Sequence, residues 1–268
     1  HAYSALLASD MARAAGGRCL LRIEDIVQSR ARPEWEAQIC DDLHWLGLDW
    51  PEPVMRQSER LPAYRDALQS RWDRGLLYPC TCRRRDILEA ASAPQEGGAP
   101  VIGPDGIVYP GTCRDKLLPT GMPHEALRLN MRKAVLGIEF ISLIENGSGP
   151  QGEAGRLDIS SETLIESIGD IVLARRDMGT SYHLSVVIDD AAQAITHVIR
   201  GQDLFEATAI HVLLQRLLGL PTPVYHHHRL IRDEAGKRLA KRDDARAIAK
   251  YRAEGASPAD IRAMVGMA

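Results

Sequence analysis

The chain has 268 residues, 45% of them apolar and 26% charged, and a formal net charge of -3. That composition suits one or two domains with a sizeable core, and it excludes a globally basic nucleic-acid binder, so a polyanion would have to be met by local patches such as Arg83 to Arg85. The five cysteines read as reduced thiols with a candidate metal site rather than a disulfide framework. No apolar run approaches a membrane span and no leader pattern is visible, which leads us to expect a cytoplasmic protein.

Taken in order, residues 2 to 15 carry Tyr3, Leu6, Leu7, Met11 and Ala14 at helical spacing, with Gly16 and Gly17 as the stop. His1 then sits at a helix amino end, where free N–H groups favour phosphate, although a lone His there is commonly just a surface residue. Gly17 to Asp25 (GRCLLRIED) reads as a buried strand through Cys19, Leu20, Leu21 and Ile23, ending in Arg22, Glu24 and Asp25. In an open α/β sheet that carboxyl end is where ligands bind. By residue type alone, Glu24 and Asp25 read first as surface charges opening a loop.

Pro33 opens a helix with Trp35, Ile39, Leu43 and Leu46 on one face, and another follows Pro62 with Tyr64, Leu68 and Trp72 on its stripe. This alternation predicts an α/β fold with a doubly wound sheet.

From Leu76 the texture changes to a Gly-, Pro- and Ala-rich stretch with no helical or strand period after Ala91. Such a segment buries little apolar surface by itself. It carries Cys80, Cys82, Tyr109 and Cys113, and zinc bound by soft thiolates would supply the folding energy that the missing core does not. Buried or free thiols beside a Tyr that simply packs is the other reading. Strands are predicted over 126–130 and 138–144, with nothing between them that carries chemistry.

After Gly169 the alternation returns. IVLARRD is a predicted strand, SYHLSVVIDDAAQ a helix, ITHVIRGQDL a strand ending at Arg200 and Gly201, FEATAIHVLLQRLLGL a helix closed by Gly219, and VYHHHRLI a strand. His226 to His228 could suggest a metal tract, but three consecutive strand side chains cannot share one face. The run AGKRLAKRDD holds Lys237, Arg238, Lys241 and Arg242 in a Gly-led, turn-like context; read alone it is a solvated face, but on a loop beside the carboxyl ends of the sheet it could neutralise a triphosphate, and one short helix from Ser257 follows.

These segments together resemble the class I aminoacyl-tRNA synthetases. His1-Ala-Tyr-Ser is similar to the tail of their HIGH signature, and Arg238-Leu-Ala-Lys-Arg242 to their KMSKS loop, with Lys241 at the principal lysine. RIED at 22–25, QSER at 57–60, SYHLSVVIDD at 181–190 and THVIRGQDL at 196–204 resemble the glutamyl branch of that class. The Cys80, Cys82, Tyr109 and Cys113 pattern, and a chain ending soon after the KMSKS-like loop, resemble the shortened paralogue in that branch.

The resemblance implies a Rossmann-type parallel sheet with an inserted zinc-containing α+β subdomain: a first catalytic half at 1–75 lacking its initial strand, the zinc and acceptor-binding-like insertion at 76–168, a second half at 169–234, and the KMSKS-like loop with a short helical end at 235–268. It implies ATP- and Mg²⁺-dependent formation of glutamyl-adenylate without tRNA, then transfer of glutamate to queuosine at the wobble position of the tRNA(Asp) anticodon loop. His1 and Lys241 would face the ATP phosphates as the catalytic pair, Glu24 the ammonium of glutamate, Tyr182 and Arg200 the rest of its pocket, and Cys80, Cys82, Tyr109 and Cys113 structural Zn²⁺. A monomer is expected.

Three departures stand out. The family's first strand, with an Arg and a Ser on the amino acid, and the first His of HIGH do not precede His1, so the sequence is expected to be a truncated record and this chain by itself inactive. Val27 stands where an Asp is usual, and Ala240 where the loop has Ser. A fragment of a glutamyl-tRNA synthetase and a non-catalytic RNA- or zinc-binding remnant remain the alternatives.

Overall fold

The computed structural model describes residues 1–29, 31–92, 99–232 and 247–267. Helix α1 (Ala2–Ala14) opens the chain, strand β1 (Arg22–Ile23) follows, and helix α2 (Pro33–Trp45) carries Pro at its first turn. Strand β2 (Met55–Arg56) leads through a 3-10 turn at Gln57–Arg60 into α3 (Leu61–Asp73). Strand β3 (Leu77–Pro79), helix α4 (Arg84–Ala91), the hairpin β4 (Ile102–Gly103) and β5 (Gly106–Ile107), and strand β6 (Leu127–Leu129) come next. After the short α5 (Met131–Ala134) run β7 (Phe140–Glu145), β8 (Gly155–Ser160), the short α6 (Ser161–Thr163) and β9 (Val172–Ala174). The last part holds α7 (Tyr182–Ala192), β10 (His197–Gly201), α8 (Thr208–Leu218), β11 (Val224–His228), α9 (Ile248–Ala253) and α10 (Pro258–Met264).

Among the described residues these strands form four sheets. β10, β11 and β7 run parallel, and β8 closes that sheet antiparallel to β7. β3, β6 and β9 form an antiparallel sheet, β1 pairs with β2 in parallel, and β4 with β5 as a hairpin. The α/β class thus holds, but the sheet is mixed. The strand at 127–129 pairs with 77–79 on one side and with 172–174 on the other, so the segment after Leu76 is sewn to the second half by backbone hydrogen bonds.

The core explains the ladders. Leu129, Ile141, Leu164, Leu173, Ile210 and Leu213 are buried together, with Tyr64 and Leu68 of α3 laid over them. α8 is buried from Thr208 to Gln215, and it ends, as read from the sequence, at Gly219, in the left-handed conformation (φ 68) that favours glycine. A smaller core joins α1 to α10 through Leu6 and Ile261, with Leu46 and Leu48 between them.

Two expectations need correction. The strand predicted over 17–25 reaches only Arg22 and Ile23 as a ladder, and Cys19 to Ile23 are half-buried rather than buried. The reason is that among the described residues only the two-residue β2 lies beside it, so one short edge ladder is all the backbone can form. On α2, Trp35 and Ile39 are 53% and 46% exposed, and only Leu46, just past the helix, is buried from the predicted stripe. Helical periodicity marks an apolar face, but burial needs a partner, and the α1–α10 core meets only the helix's far end. No described helix is long and apolar enough to cross a membrane.

Candidate active site

β10 and β11 run side by side and in register, Arg200 against His227, so both residues fall near the carboxyl ends of the parallel ladder. α1 lies against β10, and its Ser4 hydroxyl is 2.8 Å from His228 Nε2 at the end of β11. Glu24 leaves β1 one residue after its ladder. These segments enclose a cavity of about 480 Å³, whose lining includes Ser4, Arg22, Glu24, Tyr182, Asp190 and Arg200.

Glu24, Tyr182 and Arg200, far apart in sequence, therefore meet. His1 sits exposed at the head of α1 and is not among the lining residues, to which α1 contributes Ser4, Ala5, Ala8 and Ser9. Lys241 and the whole KMSKS-like run, Arg238 to Arg242 with Ala240, lie outside the described residues.

The quoted motifs are held together by carboxylates. Asp25 accepts hydrogen bonds from the Ser58 amide (2.8 Å) and hydroxyl (2.6 Å), tying RIED to QSER alongside the β1–β2 pair. Asp189, fully buried on α7, accepts from Gln57, Arg60 and Tyr64. Arg22 donates to Asp190 at 2.6 Å and to Glu24 at 3.2 Å, which fixes Glu24 at the cavity wall. Burial alone would lower the Arg22 pKa, but Asp190 and Glu24 outweigh it and the net shift is upward. Burial raises the Asp190 carboxyl against the pull of Arg22. Burial raises the Tyr182 phenol too, helped by Glu24, so it remains a hydroxyl donor.

Arg200 is the most constrained member. Its Nε donates to His227 Nε2 (3.0 Å), Nη1 to His211 Nδ1 (2.9 Å) and Nη2 to the Thr208 hydroxyl (2.6 Å). A guanidinium has five N–H groups and accepts none. Three are spoken for among the described residues, leaving one on each terminal nitrogen for a carboxylate in the cavity. The same rule fixes tautomers by hydrogen-bond logic. His227 accepts at Nε2, so its proton is on Nδ1 and goes to Glu145 Oε2 at 2.5 Å. His211 accepts at Nδ1, so Nε2–H donates to His183 Nδ1 at 3.1 Å.

This chain of histidines was not foreseen. His183 and His211 lie on helices read from their apolar spacing alone, and a His set among the apolar residues of each was the available signal. The His226–His228 tract splits as strand geometry requires, His227 facing Arg200 and His228 facing Ser4.

Burial pushes His211 well below its usual pKa, with the Arg200 charge adding to the effect, and burial also lowers His227 and His228. A His kept neutral in the folded state binds no proton as the unfolded chain titrates near 6.5. Its contribution is therefore intact above that pH and is lost as pH falls below it, by up to about 1.4 kcal/mol per pH unit per group. Thermal unfolding between pH 7.5 and 5.0 should show a Tm that drops steeply below 6.5. His211→Gln can accept from Arg200 and donate to His183 without titrating, and should flatten that drop; an unchanged slope would remove His211 as a cause.

The second predicted cluster also assembles. The sulfurs of Cys80, Cys82 and Cys113 lie within 4.8 Å of one another, Cys82 and Cys113 at 3.5 Å. The Tyr109 oxygen is 3.4 Å from Cys80 Sγ and 3.3 Å from Cys82 Sγ. It also accepts the Cys113 amide at 2.9 Å. Burial opposes ionisation of Cys113, but hydrogen bonds involving Tyr109, the Thr81 backbone, Cys82 and Lys116 outweigh it and bring the thiol down to about 6. Burial first, then the other thiols, push Cys82 up to about 11. A buried Asp170 ties this cluster to the core, accepting from Tyr78, from Arg114 Nε at 2.8 Å and from the Met131 amide.

A parallel sheet whose strand ends gather a carboxylate, a tyrosine and an arginine around one cavity is matched by a family model, tRNA synthetases class I (E and Q), catalytic domain, over residues 1–100 and 154–267. The glutamyl-Q tRNA(Asp) synthetase of Rhodobacter capsulatus is 66% identical over 270 residues, covering 100% of this chain and 94% of that protein. That of Symbiobacterium thermophilum is 40% identical, covering 97% and 79%. The chain belongs to the class I tRNA synthetases and, within them, to the glutamyl-Q tRNA(Asp) synthetase family of ligases. The crystal structure of glutamate-tRNA synthetase from Elizabethkingia anophelis superposes with a TM-score of 0.73 at 25% identity, covering 97% of this chain and 57% of that one. This chain thus spans little more than half the length of that longer synthetase.

Proposed function

We propose that the protein activates glutamate with ATP and Mg²⁺, without tRNA, and transfers the glutamyl group to queuosine at the wobble position of tRNA(Asp). The observation that carries the reading is the single cavity lined by Glu24, Tyr182 and Arg200. In the first step a glutamate carboxylate oxygen attacks the α-phosphorus of ATP; that O–P bond forms, the bond to pyrophosphate breaks, and pyrophosphate leaves with the electron pair. The substrate is its own nucleophile, so the protein's contribution is orientation and charge. Glu24 takes the ammonium, the two uncommitted N–H groups of Arg200 take a carboxylate, and the Tyr182 hydroxyl completes the pocket. His1 and Lys241 act on the phosphate charge by motif. Residues 1–75 and 169–234 are the catalytic halves, and the protein works as a cytoplasmic monomer.

Glutamate-dependent exchange of pyrophosphate into ATP tests this, on this chain and on one extended upstream of His1. Exchange without tRNA, together with glutamate transfer to tRNA(Asp) only when queuosine is present, is the expected result. Absence of exchange from both chains leaves the RNA- or zinc-binding remnant; charging of queuosine-free tRNA assigns a glutamyl-tRNA synthetase instead.

The insertion centred on 76–168 is held, in the same proposal, by Zn²⁺ on Cys80, Cys82, Tyr109 and Cys113. Tetrahedral zinc needs sulfurs about 3.8 Å apart and an oxygen about 3.5 Å from each sulfur, and the observed separations of 3.5, 3.4 and 3.3 Å fit that set. Bound there, the ion would supply cross-linking free energy to a segment whose own core is Tyr78, Cys80, Tyr109 and Cys113. We expect one zinc per unaltered chain and loss of both the metal and protease resistance across the insertion in Cys80→Ser. An unaltered chain purified without zinc, or unchanged metal in the variant, would overturn the site.

A further inference from the structure

Glu145 ends β7, with β11 between it and β10, and it does not line the cavity that Arg200 faces. It is nonetheless only 2% exposed, a costly place for a carboxylate unless its oxygens are engaged. They are engaged unequally. Oε1 accepts two backbone amides, Gly147 at 2.7 Å and His227 at 2.9 Å, whereas Oε2 takes the ring nitrogen Nδ1 of His227 at 2.5 Å. The turn that delivers the first amide is demanding: a side-chain carbon at Gly147 would stand 2.3 Å from the His227 carbonyl, so glycine alone lets the chain close there.

This arrangement decides where His227 keeps its proton. A carboxylate accepts on both oxygens, so Nδ1 holds the proton and Nε2 is left bare. A bare Nε2 is what Arg200 requires, since its Nε–H points there at 3.0 Å and a guanidinium cannot accept. The ring is packed against turning instead, edge-on to Phe205 at 5.1 Å and stacked on Tyr225 at 6.1 Å between ring centres. An amide at position 145 reverses the outcome. Its oxygen must stay with the two backbone N–H groups, which sets its nitrogen against Nδ1. The ring must then accept there and carry its proton on Nε2, toward Arg200. The Thr208 hydroxyl, 3.2 Å from Nε2, offers that proton an acceptor, but the Arg200 Nε–H is left facing a donor.

We infer that Glu145 is a positioning residue of the glutamate pocket: it sets the His227 tautomer and, through it, fixes the Arg200 fork against the substrate carboxylate. The inference rests on the proposed role of Arg200 in holding glutamate. Glu145, outside the cavity lining, acts at one remove. With Nε anchored on His227, the guanidinium plane is set, and the uncommitted N–H on each terminal nitrogen keeps its direction into the cavity. Without that anchor the fork pivots about its bonds to His211 and Thr208, and a carboxylate that needs both N–H groups in one plane loses affinity. ATP makes no use of this fork.

The test uses the chain extended upstream of His1, with its histidine ring nitrogens isotopically labelled, and its Glu145→Gln variant. Nitrogen NMR shifts read the tautomer, and His227→Gln identifies the signal. His227 should carry its proton on Nδ1 in unaltered protein and on Nε2 in Glu145→Gln. In pyrophosphate exchange the variant should raise the KM for glutamate about tenfold or more, the effect of stranding one charged buried donor, and leave the KM for ATP within about twofold. In the His227→Gln background an amide oxygen faces Arg200 with no tautomer to choose, so Glu145→Gln should add less than about twofold. A proton on Nε2 in unaltered protein overturns the assignment even where the variant does not fold. So does an unchanged tautomer in Glu145→Gln, a KM rise shared equally by glutamate and ATP, or a fully multiplicative effect in the double variant. Absent exchange from unaltered protein defeats the activation reading alone, because the tautomer is read without chemistry.

Discussion

Arg200→Lys should lower glutamate-dependent pyrophosphate exchange by about two to three orders of magnitude, with the loss expressed mainly in the KM for glutamate. The planar guanidinium serves three buried acceptors, His227, His211 and Thr208, and still presents an N–H on each terminal nitrogen to the cavity. An ammonium has three donors on one nitrogen and no fork, so it cannot keep those partners and hold a carboxylate as well. Losing two charge-assisted hydrogen bonds costs about 3–4 kcal/mol, and each 1.4 kcal/mol is tenfold. Exchange kinetics over a range of glutamate concentrations read this directly. A KM for glutamate within about twofold of the unaltered protein would remove Arg200 from the substrate pocket, since two charge-assisted bonds cannot vanish at so small an energy.

The same arginine shows what a sequence can and cannot disclose. Its position at the end of a strand was legible, because THVIRGQDL changes from an apolar run to polar residues at Arg200. Its partners were not, because His211 and His227 are close to it only through the fold, one on α8 and one across the ladder. Local periodicity located α7, α8, β10 and β11 to within a few residues, since each has an apolar side long enough to pack.

It failed where packing is one-sided or short. β8 was missed although Leu157 and Ile159 alternate with Arg156 and Asp158, because a sheet edge needs only two apolar residues turned inward. The β4–β5 hairpin was missed because two-residue strands have no period, and α9 because six residues hold barely one amphipathic turn. The thiol and tyrosine cluster was recoverable from resemblance rather than spacing: Tyr109 and Cys113 join Cys80 and Cys82 through a loop whose path no local rule specifies. The approach of Asp105 to His183, at 3.6 Å, left no trace in the sequence, for neither residue has a partner nearby in the chain.

Asp189→Ala should destabilise the chain by about 3–5 kcal/mol, the usual loss when one partner of a buried ion pair is removed. The Asp189 carboxylate is fully buried on α7 and accepts from Gln57 at 3.0 Å, Arg60 at 3.1 Å and Tyr64 at 2.6 Å. Burial, then Asp189, raise the Tyr64 phenol, so its hydroxyl remains a donor that needs this acceptor. Removing the carboxylate strands three donors at once, and Gln57 already has its Oε1 buried without a hydrogen-bond partner among the described residues. Because Gln57 belongs to the turn that Asp25 anchors through Ser58, the defect should also loosen the Glu24 wall of the cavity. Denaturant unfolding at pH 7.5 gives the loss. Tyr64→Phe supplies the control: by itself it should cost about 1–2 kcal/mol, and in the Asp189→Ala background almost nothing, because its partner has already gone. Additive effects, or a loss below about 1 kcal/mol for Asp189→Ala, would mean that the three motifs are held by apolar packing rather than by this one buried charge.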